Sequence, residues 1–274
     1  MSKKEIIAFY LPQYHPVPEN NEWYGPGFTE WTNVGKAKPL FRGHYQPIVP
    51  ADLGYYDLRL PEVRQAQADL AKEAGVSAFC YYHYWFGNGR QLLEVPLREV
   101  VKTKSPDLPF CICWANHTWY KKMWSAEHNM LDMQAIMPQE YPGKEDWDAH
   151  FYALLDTFRD ERYYRIDGRM VFVLYHVADI PNAAEYMQRW QELAAKEGLG
   201  EFCFMSYIDD IADLKNPAHD LCDKKVVCCK SNVDSAVGTA FMRKLYRFAK
   251  QVISRVLHIP LGIYNYDRIR PKLL

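Results

Sequence analysis

The chain has 274 residues, 49% of them hydrophobic, which is enough for one large α/β domain, and we expect a single domain over residues 1–274. A net charge of −1 excludes a general electrostatic affinity for nucleic acid or anionic lipid. The seven cysteines lie mostly in apolar segments without the spacing of a zinc site, so we predict reduced thiols, no metal and no cofactor. We find no membrane-span or signal-peptide pattern and therefore expect a cytoplasmic protein.

Predicted strands and helices alternate along the chain. The strands are expected at residues 5–10, 76–80, 109–114, 170–175, 202–208 and 225–229, and the helices at 60–74, 90–103, 146–159 and 182–196. This alternation predicts right-handed βα units and a parallel sheet, that is, an α/β protein with a (β/α)8-type TIM barrel. About six units are recognisable, so we expect the barrel to be incomplete or irregular at its C-terminal end.

The segment from Ala74 to Gly89 joins an apolar strand to a run of aromatic residues. Tyr81 to Phe86 lie at the carboxyl end of this strand, where α/β proteins place their ligand sites. Similar clusters of rings and polar side chains follow the strands that end near Tyr10 and Trp114. The alternative is an aromatic core, because side chains on a strand alternate with a period of two and six in succession cannot all face one side.

Glu30 lies in a connection from residue 16 to residue 57 that is much longer than an ordinary βα loop. The neighbouring Phe28 and Trp31 are expected to desolvate its carboxyl group and raise its pKa, which suits a general acid or base. An ordinary solvated glutamate is the alternative. We expect Glu30 to meet the strand ends at Tyr10, Tyr82 and Trp114 on one concave face, because a parallel barrel aligns all its carboxyl ends.

Three segments carry a resemblance to a known family: FYLPQYHPVPENNEWYGPGFTEWTNVGKAKPLFRGHYQP, ADLGYYDLRLPEVRQAQADLAKEAGVSAFCYYHYWF and PFCICWAN. They resemble the bacterial WbsX-like proteins, described as glycosyltransferase WbsX-like or glycoside hydrolase family 99-like. The resemblance is strong from residue 6 to residue 119 and fades after residue 214. It implies a (β/α)8-type barrel that acts on glycans and a role in bacterial surface polysaccharide biosynthesis of the O-antigen type.

The sequence departs from this family after the third strand. The family usually reads Trp-Ala-Asn-Glu-Asn-Trp there, whereas this chain has Asn116 followed by His117. Loss of that glutamate is unfavourable for hydrolysis by two carboxylates, although a histidine can still act as a base. The candidate catalytic residues are therefore Glu30, His117 and Asn116. The family's late Trp-Asp-Asn segment also has no counterpart in this chain.

The resemblance makes the side chains at the strand ends candidates for stacking on sugars or hydrogen bonding to them. The predicted substrate-binding residues are Tyr10, His15, Trp31, Tyr82, His83, Trp85, Trp114, Trp119 and His176. His83 and His176 have a second interpretation as structural core histidines.

Three functions follow from these observations. The first is transfer of a sugar from an activated-sugar substrate to a glycan. The second is endo-acting glycoside hydrolysis related to family 99, for which Asp52, Asp209 and Asp210 are available partners of Glu30. The third is carbohydrate binding without catalysis. No glycine-rich phosphate loop supports a nucleotide-sugar donor, and we expect no nucleic-acid partner.

A basic amphipathic helix is predicted near residues 239–258, where apolar residues recur at helical spacing between five lysines and arginines. The simpler interpretation is an outer helix of the barrel. The alternative is peripheral contact with an anionic membrane surface, at the inner face of the membrane.

Overall fold

The computed structural model describes residues 5–39, 43–125 and 130–228, and within these ranges the side chains of all residues except 122–125 and 130–133. The strands are β1 Ile7–Tyr10, β2 Ala78–Trp85, β3 Gln91–Leu92, β4 Phe110–Trp114, β5 Trp119–Ser125, β6 Met130–Met137, β7 Arg165–Ile166, β8 Arg169–Leu174, β9 Phe202–Ile208 and β10 Lys224–Val227. The α-helices are α1 Pro18–Tyr24, α2 Glu30–Lys36, α3 Pro61–Glu73, α4 Val95–Thr103, α5 Lys144–Ala153, α6 Leu155–Phe158 and α7 Ala183–Lys196. Short 3-10 turns cover Val177–Asp179, Ile211–Lys215 and Pro217–Leu221.

The main sheet is parallel and follows the order of the chain. Its path is β1-β2-β4-β8-β9-β10, and every pair along this path is parallel. Sequential parallel pairing of this kind is what a right-handed βα series produces. The prediction of a parallel βα sheet is confirmed, in the form of a curled half-barrel. The described residues do not form a complete (β/α)8 barrel, and residues 239–258, with the predicted basic helix, lie outside them.

Local sequence signals explain where the helices begin and end. Helix α3 has Pro61 in its first turn and is followed by Gly75, whose φ of +80° suits a residue without a side chain. The helix predicted from residue 90 begins only at Val95, because residues 91–92 pair instead with β2 as the short antiparallel strand β3. The helix predicted over 146–159 is divided at Leu154 into α5 and α6.

The outer face of the sheet carries the main hydrophobic core. Trp190 of α7 is fully buried and its ring lies 4.8 Å from the ring of Phe172 on β8. Phe151 of α5 and Phe202 of β9 complete the same cluster. This packing covers one side of the sheet. The strands are apolar on both faces, as in parallel sheets, and the other side is also lined by rings.

The inner, concave face is less tightly closed. The register pairs Phe9 with Cys80 and Tyr82 with Cys113, which places Phe9 and Tyr82 on the same side. Tyr82 stacks on Phe9 at 5.4 Å, and Tyr175 stacks on Tyr207 at 4.6 Å. Phe9 remains 39% exposed, so this face is accessible near the carboxyl ends of the strands.

Two insertions surround that end of the sheet. The β5–β6 hairpin follows β4, and the long connection after β1 contains α1 and α2. The two insertions touch each other, because Lys121 Nζ donates to the carbonyl oxygen of Trp23 at 2.7 Å and the Trp23 and Trp119 rings lie 6.1 Å apart. In the described ranges, no helix is long and apolar enough to cross a bilayer.

Candidate functional site

Two adjoining cavities lie beyond the carboxyl ends of β4 and β8. The larger, which we call the aromatic lobe, has a volume of about 540 Å³ and is lined by Tyr24, His117, Thr118, Trp119, Tyr120, Tyr175 and His176. The smaller, the polar lobe, has a volume of about 290 Å³ and is lined by Asn116, His117, Thr118, Tyr120, Gln139, Tyr141, His176 and Asp179. They share His117, Thr118, Tyr120 and His176, so they form one site with two differently lined parts.

Asn116 joins the loops that follow β4 and β8. Its Nδ2 donates to the hydroxyl of Tyr141 at 2.9 Å and to the carbonyl oxygen of His176 at 2.8 Å, and its Oδ1 accepts from the His176 backbone N–H at 2.9 Å. The side chain is fully buried. Since every polar atom of the amide is engaged within the protein, Asn116 holds the two loops in position, and its predicted direct part in catalysis stays a prediction.

His117 and His176 are neighbours in the part of the wall that the two lobes share. Their ring centroids lie 6.0 Å apart and the rings are almost perpendicular. Burial, and then the charge of His176, lower the pKa of His117, so this half-buried imidazole is neutral at neutral pH. Its Nδ1 is buried without a hydrogen-bond partner in the described structure. A neutral imidazole on a cavity wall can accept a proton from a bound hydroxyl group.

Glu30 is the first residue of α2, and Thr29 caps this helix. The Trp31 backbone N–H donates to Thr29 Oγ1 at 3.2 Å, and the Thr29 N–H donates to Thr32 Oγ1 at 3.3 Å. The ring of Tyr24 lines the aromatic lobe. Burial is the largest cause that raises the pKa of Tyr24, and the charge of Glu30 is the second. Glu30 is therefore held at a capped helix start and its charge reaches a ring of this lobe, although Glu30 is not itself among the described lining residues.

Four predicted sugar-binding residues lie instead on the outer face of the sheet. Tyr10 Oη donates to Gln67 Oε1 of α3 at 2.6 Å, Trp85 Nε1 donates to Asp146 Oδ2 of α5 at 3.0 Å, and Trp114 Nε1 donates to the Trp85 carbonyl oxygen at 3.0 Å. Alternation along each strand turns these three residues and His83 towards the helices and away from the concave face, where they were expected to contact sugars.

His83 forms a buried pair with His150 of α5. Their Nε2 atoms are 2.9 Å apart, and the His150 ring stacks on Trp85 at 4.7 Å. Burial lowers the pKa of His83 to about 3 and the pKa of His150 well below its ordinary value. Both rings are thus neutral, with one donating to the other, which agrees with the alternative interpretation of His83 as a core histidine.

The other predicted residues divide into two groups. Tyr82 on the inner face and Trp119 and His176 at the lobes reach the concave side. Trp31 is used to hold the long connection, since its Nε1 donates to the Tyr56 carbonyl oxygen at 2.8 Å. His15 is 1% exposed and burial lowers its pKa, so it lies inside this connection and away from the cavity surface.

Sequence reasoning missed several residues of the site. Tyr175 comes directly before His176, and a strict period of two along β8 would have identified its inward position. Asp179, which ends the 3-10 turn after β8, is a single acidic residue in an irregular segment without any pattern. Asp209, which follows β9, was available from the sequence as a partner of Glu30, but no pattern placed it. Burial is the largest cause that raises the pKa of Tyr175, and the charge of Asp209 is the second.

In the parts of the chain that are described, no three His, Cys, Asp or Glu side chains are arranged to hold a metal ion. The inner face carries Cys80, Cys111 and Cys113, which are buried and unbonded. Burial is the largest cause that raises the pKa of Cys80, and the hydrogen bond that the Cys111 thiol donates to Cys80 is the largest cause that raises the pKa of Cys111. Such thiols are unreactive packing groups.

A curled parallel βα sheet with its cavity at the carboxyl ends of the strands has the architecture of barrel enzymes. A similar fold is found in a solved structure described as a glycoside hydrolase-like protein, with a TM-score of 0.51 and 12% identity, over 94% of this chain and 69% of that chain. The GH99 endo-alpha-mannosidase of Bacteroides thetaiotaomicron gives a TM-score of 0.42 and 16% identity, over 97% and 73% of the two chains.

The sequence profile of the family described as Glycosyltransferase WbsX matches residues 6–274, and the chain belongs to this family. Among curated proteins, the uncharacterized protein WxcX of Xanthomonas campestris pv. campestris (strain B100) is 43% identical over 197 residues. That match covers 72% of this chain and 27% of WxcX, so the chain spans about a quarter of the length of this relative.

Proposed function

We propose that the chain is a glycan-active enzyme that transfers a sugar from an activated donor to a glycan acceptor in the biosynthesis of a bacterial surface polysaccharide of the O-antigen type. The observation that carries this proposal is the joint lining of one cavity by aromatic rings and by a neutral histidine. Rings stack on the apolar faces of sugars, and a neutral imidazole removes a proton from a hydroxyl group. The family description agrees with transfer.

In the proposed reaction, His117 is the base. It takes the proton of the acceptor hydroxyl as that oxygen forms a bond to the anomeric carbon of the donor and the bond to the leaving group breaks. Glu30, fixed at the start of α2 beside Tyr24, is the carboxylate that acts as acid or base at the same edge. Trp119 and Tyr175 supply the stacking surfaces of the aromatic lobe, and Tyr82 extends the row of rings into the concave face.

Hydrolysis is the second candidate, and one observation favours it. Asp179 lines the polar lobe and Asp209 acts on Tyr175, so carboxylates other than Glu30 are present around the cavity. Hydrolysis needs two carboxylates on either side of the scissile bond. In this reaction Glu30 pairs with one of these aspartates, and water replaces the acceptor hydroxyl.

Turnover by the purified protein with a panel of activated sugars and oligosaccharide acceptors separates the two candidates. Transfer predicts a glycosylated acceptor, whereas hydrolysis predicts a shortened oligosaccharide without any donor. In either case, Glu30→Gln should lower turnover about 10²–10⁴-fold while leaving binding and folding largely intact, because the amide cannot exchange the proton.

Glu19→Gln, on α1 of the same connection, is the matched control and should keep full turnover. His117→Glu restores the family's Asn-Glu pair and should increase any hydrolysis at the expense of transfer. Undiminished turnover by Glu30→Gln removes Glu30 from catalysis. Binding of glycans without turnover by either the wild type or His117→Glu rejects the enzyme proposal in favour of a carbohydrate-binding protein.

The place of action is proposed from the sequence pattern. We propose that the protein works in the cytoplasm, where the basic segment 239–258 brings it to the anionic inner face of the membrane. Co-sedimentation with anionic vesicles at low and high salt tests this, and no pelleting at low salt leaves the segment without a membrane role.

A further inference from the structure

The turn after β8 holds a carboxylate on the wall of the polar lobe. The Asp179 backbone N–H donates to the His176 carbonyl oxygen at 3.1 Å. Val177 and Ile180, on either side of it, are 0% and 5% exposed. The side chain of Asp179, in contrast, is exposed and lines the cavity. Because the backbone is anchored on both sides, the point from which this carboxylate extends into the lobe is set before any ligand binds.

Asp179 forms no ion pair with any residue that the structure describes, unlike several other aspartates. Asp148 pairs with Arg189 at 2.6 Å, and Asp223 pairs with Arg169 at 2.6 Å. A carboxylate without a cation has no partner that offsets its charge or occupies its hydrogen-bond acceptors. The charge of Asp179 reaches Tyr141 in the same lobe. The pKa of Tyr141 is raised to about 12, mainly by burial; the hydrogen bond with Asn116 lowers it and the charge of Asp179 raises it.

The two lobes together have an acidic environment. Their described lining contains no lysine or arginine. Glu30 and Asp209, which lie next to the lining rings of Tyr24 and Tyr175, are also without an ion pair among the described side chains. The nearby described cation is Lys121, whose Nζ donates to the Trp23 carbonyl oxygen and lies 5.8 Å from the ring centroid of Tyr24, at the aromatic lobe and away from the lining of the polar lobe. Asp179 is therefore the charged side chain in the described lining of the polar lobe, and the charges of Glu30 and Asp209 reach rings of the aromatic lobe.

We propose that the polar lobe is a subsite for a sugar ring without negative charge, in which Asp179 accepts hydrogen bonds from two adjacent hydroxyl groups and excludes anionic sugars. This inference rests on the proposed function and specifies its substrate class. Two acceptor oxygens match the two donors of neighbouring hydroxyls. A carboxylate or phosphate on the ligand is instead repelled by Asp179 and leaves it without donors, which is how a site discriminates against a wrong ligand.

Matched pairs of methyl glycosides test this inference. The pairs are the methyl glycosides of glucose, galactose and mannose and their counterparts in which C6 is a carboxylate, so that each pair differs only in charge at one carbon. Binding is measured by ligand-observed NMR titration of the wild-type chain. We expect the neutral member of the pair that binds best to bind at least about tenfold more tightly, and this ratio to shrink with salt up to about 1 M as the charges are screened.

Asp179→Asn should reduce that ratio at least about threefold, because the amide removes the charge and one acceptor. Asp107→Asn is the control, since this exposed aspartate precedes β4 at the opposite end of the sheet and should leave the ratio unchanged. Circular dichroism verifies the fold of both variants, and the salt titration of the wild type tests charge selection without any variant.

The outcomes separate this inference from the proposed function. If the acidic members bind as tightly as the neutral ones while sugar transfer is measured, the inference is wrong and the function stands. If the neutral members bind selectively but no turnover is found, the inference stands and the enzyme proposal fails. An unchanged ratio in Asp179→Asn overturns the role of Asp179, and binding of no glycoside at millimolar concentration overturns both proposals.

Discussion

The two faces of the parallel sheet use the same kinds of residues for different purposes. On the outer face, Trp85 and Trp114 are almost completely buried, and the indole Nε1 of each donates a hydrogen bond. On the inner face, Tyr175 stacks on Tyr207 and meets the Tyr82 ring edge to face, and all three rings stay half-buried. Aromatic rings therefore form a closed core on one side of the sheet and an accessible surface on the other. Successive residues of a strand alternate between these two sides.

The strongest test of this difference is Trp190→Ala in the outer layer. The side chain is fully buried, donates from Nε1 to the Trp147 carbonyl oxygen at 3.1 Å and packs on Phe172. We expect the free energy of unfolding to fall by about 3–5 kcal/mol, because truncation leaves a large cavity and an unpaired carbonyl. Urea denaturation measures it. A loss under about 1 kcal/mol would mean that the helix layer is not the main core.

Asn116→Ala tests the hydrogen bonds that join the loops after β4 and β8 at the cavity. It removes both side-chain partners of the His176 backbone and one of the two hydrogen bonds of the Tyr141 hydroxyl, which still donates to the carbonyl oxygen of residue 116. We therefore expect a loss of about 1–3 kcal/mol in the free energy of unfolding and weaker glycan binding. Asn33→Ala, on the exposed side of α2, is the matched control and should stay within about 0.5 kcal/mol of the wild type. Equal effects of the two substitutions would contradict the positioning role.

The His83–His150 pair predicts a pH dependence of stability. Its folded pKa values lie below the ordinary value of 6.5, that of His83 at about 3, so below pH 6.5 the unfolded chain binds protons that the folded chain does not. The free energy of unfolding should therefore fall as the pH drops from 6.5 towards 3, by about 1.4 kcal/mol per pH unit for each histidine.

Thermal unfolding at a series of pH values measures this slope. A double variant with glutamine at positions 83 and 150 should have a smaller slope, since glutamine does not titrate. If the wild type and the double variant lose stability in parallel over this range, the pair does not titrate as the burial of its rings requires.

The smallest expected effect on stability belongs to the inner face. Tyr82→Leu keeps an apolar side chain but removes the ring that stacks on Phe9, so we expect a loss of only about 0.5–1.5 kcal/mol. Glycan binding should weaken at the same time, whereas Tyr82→Phe, which keeps the ring, should bind nearly as well as the wild type. A loss of stability as large as that of Trp190→Ala would show that the two faces do not differ in this way.

The sequence was sufficient for the βα alternation, because Pro61 and Gly75 mark the ends of α3 and apolar runs mark the strands. It was insufficient for the facing of the side chains. The run Tyr81 to Phe86 is aromatic at almost every position, so the alternation that normally reveals the buried face of a strand is absent. Knowledge of which side the helices cover was needed to separate Tyr82 from His83.

The site itself was only partly predictable for a related reason. Asn116 and His176 stand 60 positions apart in the sequence, and their mutual hydrogen bonds exist only because β4 and β8 are neighbours in the sheet. Asp179 lies in a short turn that has no periodic pattern. Long-range pairing, and not local propensity, brings such residues together, which is why His117 was recognisable from its motif while Asp179 was not.

The hydrogen bonds between Asn116 and His176 also have a thermodynamic consequence for binding. Because one amide fixes both the backbone N–H and the carbonyl oxygen of His176, the two loops that form the cavity wall are already ordered in the free protein. A sugar that enters the site therefore does not have to immobilise them, and the entropic penalty of association is confined to the ligand and a few side chains. Calorimetry should accordingly find a smaller unfavourable entropy of binding for the wild type than for Asn116→Ala.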